Sequence, residues 1–71
     1  MDEYSIIGTR IREQRTLKRL SQEELGNILA VSQDTISLWE NSKSLPPCEM
    51  IIALSKFFEI PSDYLLGLSD Y

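Results

Sequence analysis

Arg15 is the side chain in this sequence with the most exacting chemical requirement. It follows Ile7 and Ile11 at helical spacing, so in a helix it continues their buried stripe. A guanidinium withdrawn from water needs an anionic partner, because an unpaired buried charge is strongly destabilising. A second group of residues is chemical in a milder sense. Ser32, Gln33, Asp34, Ser37 and Leu38 share the face opposite Ile36 and Trp39, and Gln22, Asn41 and Lys43 flank them in the chain. Apart from Leu38 these are hydrogen-bonding groups, suited to recognition more than to bond-making.

Catalysis has little to work with. The chain has no histidine, which removes His-based acid–base chemistry and His metal ligands. No spacing sets a nucleophile beside a base, and 71 residues leave little room for a pocket. Cys48 stands in the first turn of a predicted helix, where a thiol pKa can fall. As the one cysteine it reads instead as a small apolar residue, buried or half-buried. No enzyme activity, cofactor, metal or small-molecule ligand is expected.

The elements that position these residues are helical. Ser21 and Glu24 have the spacing of a capping box, and Leu25, Ile28 and Leu29 follow as one buried face. Ser32 is a second N-cap only a few residues on, ahead of the Ile36/Trp39 stripe. Two helices joined by so short a turn cross steeply, as in a helix-turn-helix. Ser5 caps a first helix. Ser44-Leu45-Pro46-Pro47 is a loop, with Pro47 suited to the first turn of a fourth helix. Ile51, Leu54, Ser55 and Phe58 form that helix's inward stripe, and a short fifth helix stops at Gly67. The spacing predicts helices over about 5–19, 21–29, 32–41, 47–58 and 62–66, in one domain over 5–68. Residues 1–4 read as a flexible N-terminus and 69–71 as the C-terminal end.

The segments Leu20-Ser21-Gln22-Glu23-Glu24-Leu25, Val31-Ser32-Gln33, Thr35-Ile36-Ser37 and Trp39-Glu40-Asn41 carry a family resemblance, which continues through Pro46 to Asp63-Tyr64-Leu65-Leu66-Gly67. In order and spacing the chain resembles the Cro/lambda-repressor-like, or XRE-type, helix-turn-helix regulators over roughly residues 6–67. The resemblance implies an all-α, five-helix domain with the helix-turn-helix at helices 2 and 3. It also implies a partner for Arg15, namely Glu40 at the close of helix 3. The pattern is not followed everywhere. Ala30 stands where glycine is preferred in a left-handed turn, a conformation costing alanine about 1 kcal/mol. Gly26 lies inside helix 2 where alanine is usual, at about 1 kcal/mol in propensity. Ser42 replaces a terminating glycine, leaving Asn41 to take the left-handed cap.

The family's function implies DNA as the ligand, with helix 3 in the major groove. Gln33 is then the foremost base reader, since an amide bonds bidentately to adenine N6 and N7. Asp34 can accept from cytosine N4, Ser32 and Ser37 discriminate weakly, and Leu38 can meet a thymine methyl. Gln22, at the start of helix 2, with Asn41 and Lys43, would hold phosphates. So few cations imply weak, salt-sensitive binding by a monomer, and hence a homodimer on a palindromic operator. A second apolar line on helix 4, Met50, Ala53 and Phe57, with Leu68 and Tyr71, either broadens the core or forms that dimer interface.

Charge complicates this reading. The net charge is −4, unfavourable for a nucleic-acid binder. Five of the seven basic residues fall within Arg10–Arg19 against Glu13 alone, whereas Ser32–Lys43 holds Asp34 and Glu40 against Lys43. Arg12 reads as a solvated surface residue, and Arg10, Lys18 and Arg19 as contributors to a long-range field. The leading expectation is a sequence-specific repressor of phage, mobile-element or bacterial type. The alternative is a protein-interaction module of the same fold, antitoxin-like or antirepressor-like. The absence of a signal-like or membrane-spanning apolar run and the single cysteine point to a reducing cytoplasm.

Overall fold

In the computed structural model, which describes residues 5–70, helices α1 (Ser5–Leu17), α2 (Gln22–Leu29), α3 (Gln33–Glu40), α4 (Cys48–Phe58) and α5 (Ser62–Leu65) follow in order. The described residues contain no strand. The expectations for residues 1–4 and Tyr71 lie outside this range. α3 packs against both α1 and α2, α4 against α5 and α2, and α5 returns to α1.

The helix-turn-helix is built by its caps. Ser21 Oγ accepts from the Glu24 N–H at 3.0 Å, and Glu24 Oε1 accepts from the Ser21 N–H at 2.8 Å. Two of the orphan donors at the start of α2 are thereby satisfied. α2 ends at Ala30, which adopts φ 61, ψ 39, and the Val31 N–H closes back on the Gly26 carbonyl at 2.9 Å. Ser32 Oγ then accepts from the Thr35 N–H at 3.1 Å and starts α3.

Close backbone approach explains two glycines. A Cβ on Gly8 would lie 2.3 Å from the Trp39 carbonyl oxygen, so α1 crosses the end of α3 almost backbone to backbone. A Cβ on Gly26 would lie 2.7 Å from the Val31 carbonyl oxygen. Residue 26 is thus glycine because the turn folds back onto α2, which offsets its poor helix propensity.

Ile7, Ile11, Leu25, Ile36, Trp39, Ile51, Leu54, Phe58 and Leu65 form the buried core. Met50 and Phe57 of α4's second apolar line are half-buried and pack against it.

Several expectations need correction. α1 stops at Leu17, because Arg19 turns into the left-handed region with φ 58 and the Leu20 N–H returns to the Arg15 carbonyl. The left-handed residue after α3 is Ser42 (φ 60), while Asn41 stays near the helical region at φ −95, ψ 8. Pro47 caps α4 from outside, since its extended φ and ψ precede the first helical residue, Cys48. Cys48 itself is exposed, because the first turn of α4 begins on the surface. Ile28 is 48% exposed; α2 buries Leu25 fully and Leu29 partly, and its short contact with the core leaves Ile28 at the edge.

Candidate nucleic-acid interface

The organising group is the Glu40 carboxylate, whose side chain is fully buried where α3 ends against α1. Arg15 donates from Nε to Oε2 at 2.6 Å and from Nη2 to Oε1 at 3.0 Å. Its remaining Nη1 donates to the Leu20 carbonyl at 2.8 Å, which ties the α1–α2 connection into the same knot. Gln22 Nε2 and Arg12 Nε also donate to Oε1, at 3.2 and 3.3 Å. Burial pushes the Glu40 pKa up, but hydrogen bonds from Arg15, Gln22 and Arg12 and the Arg15 charge outweigh it and hold the carboxyl below its ordinary range. The Glu40 hydrogen bond and charge raise Arg15 above its ordinary value against a smaller opposing effect of burial. Every side-chain polar atom buried among the described residues has a partner, as a low-dielectric network requires.

Two hydrogen-bond chains leave this carboxylate for the exposed face of α3. On one side Gln22 turns its NH2 to Glu40, and its Oε1 accepts from Gln33 Nε2 at 3.4 Å. Gln33 therefore keeps its own Oε1 and a second N–H for another partner. On the other side Arg12 Nη2 donates to Asn41 Oδ1 at 2.9 Å, and Asn41 Nδ2 donates to Ser37 Oγ at 3.2 Å.

The residues singled out in sequence thus fall into distinct groups. Gln33, Asp34 and Leu38 are exposed on α3, Leu38 by 45%, and Ser37 is half-buried. Ser32 is exposed but occupied as the cap, with its Oγ also 3.0 Å from Thr35 Oγ1. Gln22 is drawn in toward Glu40, and Asn41 and Lys43 are exposed at the far end of α3, where the Lys43 N–H bonds the Leu38 carbonyl. Arg15 and Glu40 are brought into direct contact. Leu68 is exposed by 74%, and Met50 and Phe57 are half-buried.

Two arginines have roles the sequence reading missed. Arg12 is not merely solvated, because it bridges Glu40 and Asn41. The signal was its position three residues before Arg15, which sets both guanidinium groups on one helical face. Arg10 is committed to the C-terminal segment: it donates to the carbonyls of Tyr64 and, at 2.9 Å, Ser69, lies 4.0 Å from the Tyr64 ring centroid, and approaches Asp70 at 3.9 Å. Lys18 lies 5.6 Å from the Phe57 ring centroid. The basic stretch is therefore largely engaged within the domain.

Residues 11–65 match the protein family described as Helix-turn-helix. The chain is 41% identical over 61 residues to repressor protein C2 of Salmonella phage P22, covering 86% of this chain and 28% of that protein. It is 42% identical over 58 residues to the HTH-type transcriptional activator BcrR of Enterococcus faecalis, covering 82% of this chain and 28% of the relative. Among solved structures, the P22 c2 repressor in complex with synthetic operator 9T is similar with a TM-score of 0.78 and 41% identity, over 83% of this chain and 89% of that one. The chain spans about 28% of the length of these two curated relatives.

Proposed function

This chain belongs to the helix-turn-helix family, and from that premise we propose that it is a sequence-specific double-stranded-DNA-binding transcriptional regulator. Repression is the regulatory sense we favour, in a phage, mobile-element or bacterial setting. The observation that carries the proposal is the likeness, at 41% identity and a TM-score of 0.78, to a repressor in complex with its operator. The family is one of DNA-binding regulators and not of enzymes. Among the described residues no helix is long and apolar enough to cross a membrane.

In this reading α3 enters the major groove with Gln33 foremost. The Gln22 contact leaves Gln33 with one acceptor and one donor, the pair that adenine N6 and N7 require. Asp34, Ser37 and Leu38 follow along the exposed face, with Ser32 at its start. Gln22 presents its main-chain N–H at the start of α2 to a phosphate while its side chain supports Gln33. Asn41 and Lys43 hold phosphate at the other end. With Arg10 and Arg15 engaged internally and Arg12 shared between Glu40 and Asn41, Lys43 is the cation of the α3 end that no such contact draws in, and cations on this surface are few. Affinity then comes from two subunits on adjacent half-sites, joined through Met50, Phe57 and Leu68 on the α4–α5 side.

The same scarcity of cations favours a second reading, a protein-interaction module that retains the fold. Selection from a random duplex pool at low salt separates the two. Recovery of a palindromic site that Gln33→Ala no longer selects supports the regulator. A folded protein that enriches nothing supports the interaction module.

A further inference from the structure

Arg12, Asn41 and Ser37 form a hydrogen-bond chain whose direction is fixed by chemistry. The Glu40 carboxylate accepts only, and the Arg12 guanidinium donates only. Arg12 spans the two residues at the end of α3, with Nε on Glu40 and Nη2 on Asn41 Oδ1 at 2.9 Å. Because arginine cannot accept, the Asn41 oxygen must face it, and the Asn41 NH2 is turned the other way. That NH2 meets Ser37 Oγ at 3.2 Å. The serine oxygen is thereby used as an acceptor, and its own proton must point elsewhere. Among the described residues no acceptor takes it. Ser37 lies one helical turn beyond Gln33 on the proposed reading face.

We propose that Arg12 is a positioning residue for base selection: through Asn41 it fixes the Ser37 hydroxyl as a donor aimed at the major groove. A free serine hydroxyl rotates to suit either a donor or an acceptor and so discriminates weakly. Held in this way it selects a base edge that accepts, namely guanine O6 or N7, thymine O4 or adenine N7. Cytosine, whose major-groove edge offers only the N4 donor, meets just the one lone pair that Asn41 leaves and makes no use of the proton, so it is disfavoured. This inference rests on the reading of α3 as the DNA-contacting helix.

The test measures binding of the parent and of Arg12→Met, Arg12→Lys, Asn41→Asp and Ser37→Ala to duplexes carrying each base in turn at every half-site position. Thermal melts establish folding first. Arg12→Lys keeps a cation beside Glu40 and carries the test if Arg12→Met does not fold. At one position the parent should prefer an accepting base over cytosine by about fivefold, the effect of one neutral hydrogen bond. Ser37→Ala and both Arg12 variants should lose that preference while keeping the preference set by Gln33. Asn41→Asp retains a partner for Arg12 but accepts the serine proton, so cytosine should no longer be disfavoured. An Arg12 variant that keeps the parent's preference, or that weakens all four bases equally, overturns the proposal and leaves the DNA reading intact. A folded parent that selects no duplex overturns both.

Discussion

Arg15 and Glu40 meet through two parallel hydrogen bonds, Nε to Oε2 at 2.6 Å and Nη2 to Oε1 at 3.0 Å, with the carboxylate fully buried. They join the last turn of α1 to the last residue of α3. Removing Arg15 leaves the buried carboxylate only its longer bonds from Arg12 and Gln22, and removing Glu40 leaves the guanidinium only the Leu20 carbonyl. Replacing both with apolar groups strands neither charge. Arg15→Met and Glu40→Leu should each cost about 3–5 kcal/mol, and the double variant clearly less than their sum. Urea denaturation of the four proteins measures this. Additive losses would show that the pair is not a clamp.

The same carboxylate sets a pH dependence. Its pKa is lower in the folded protein, so near the ordinary carboxylate value the unfolded chain binds more protons and stability rises with pH. The contribution is fully present above the unfolded value of about 4.3 and is lost as pH falls through the folded one. Melting temperatures from neutral pH downward should therefore fall more steeply in the parent than in Glu40→Gln. Parallel curves would remove Glu40 from the acid response.

Ala30 is the left-handed residue of the turn between α2 and α3, with φ 61 and an exposed side chain. Ala30→Gly should raise stability by about 1 kcal/mol, because glycine adopts this conformation without the Cβ conflict. Gly8→Ala should lower it by about 1–3 kcal/mol, since its methyl meets the Trp39 carbonyl and forces the backbones apart. Denaturation midpoints check both; Ala30→Gly at or below the parent would contradict the strain argument.

Arg10 holds the segment after α5 through the Tyr64 and Ser69 carbonyls and the Tyr64 ring. Arg10→Ala should speed amide exchange over residues 64–70 while α2 and α3 keep their protection. Exchange that rises equally throughout would mean that Arg10 supports the whole domain and not this segment.

What the sequence made legible was mainly local. Ser21 with Glu24, Ser32 before α3, and the Ile36/Trp39 stripe depend on residues close in the chain, and they define the helix-turn-helix. Arg12 was misread because its partners, Glu40 and Asn41, come within reach only where α1 crosses α3, an approach that the bare backbone at Gly8 permits. Arg10 was misread for a similar reason, since its acceptors lie in the C-terminal segment. Ser42 rather than Asn41 turning left-handed is a one-residue displacement at a helix end, where pattern is least decisive. The exposed face of α3 followed from helical periodicity, whereas the orientation of its amides followed from a buried carboxylate that periodicity does not reveal.

The central claim is that this face of α3, with the start of α2, reads DNA. Its most direct test is titration of a selected duplex into isotope-labelled protein, followed residue by residue through NMR shifts. The largest changes are expected at Gln22, Ser32–Leu38 and Asn41–Lys43, including the Gln33 side-chain amide, with smaller changes along α4. Changes centred on α4, or none at a concentration where the duplex is bound, would contradict it.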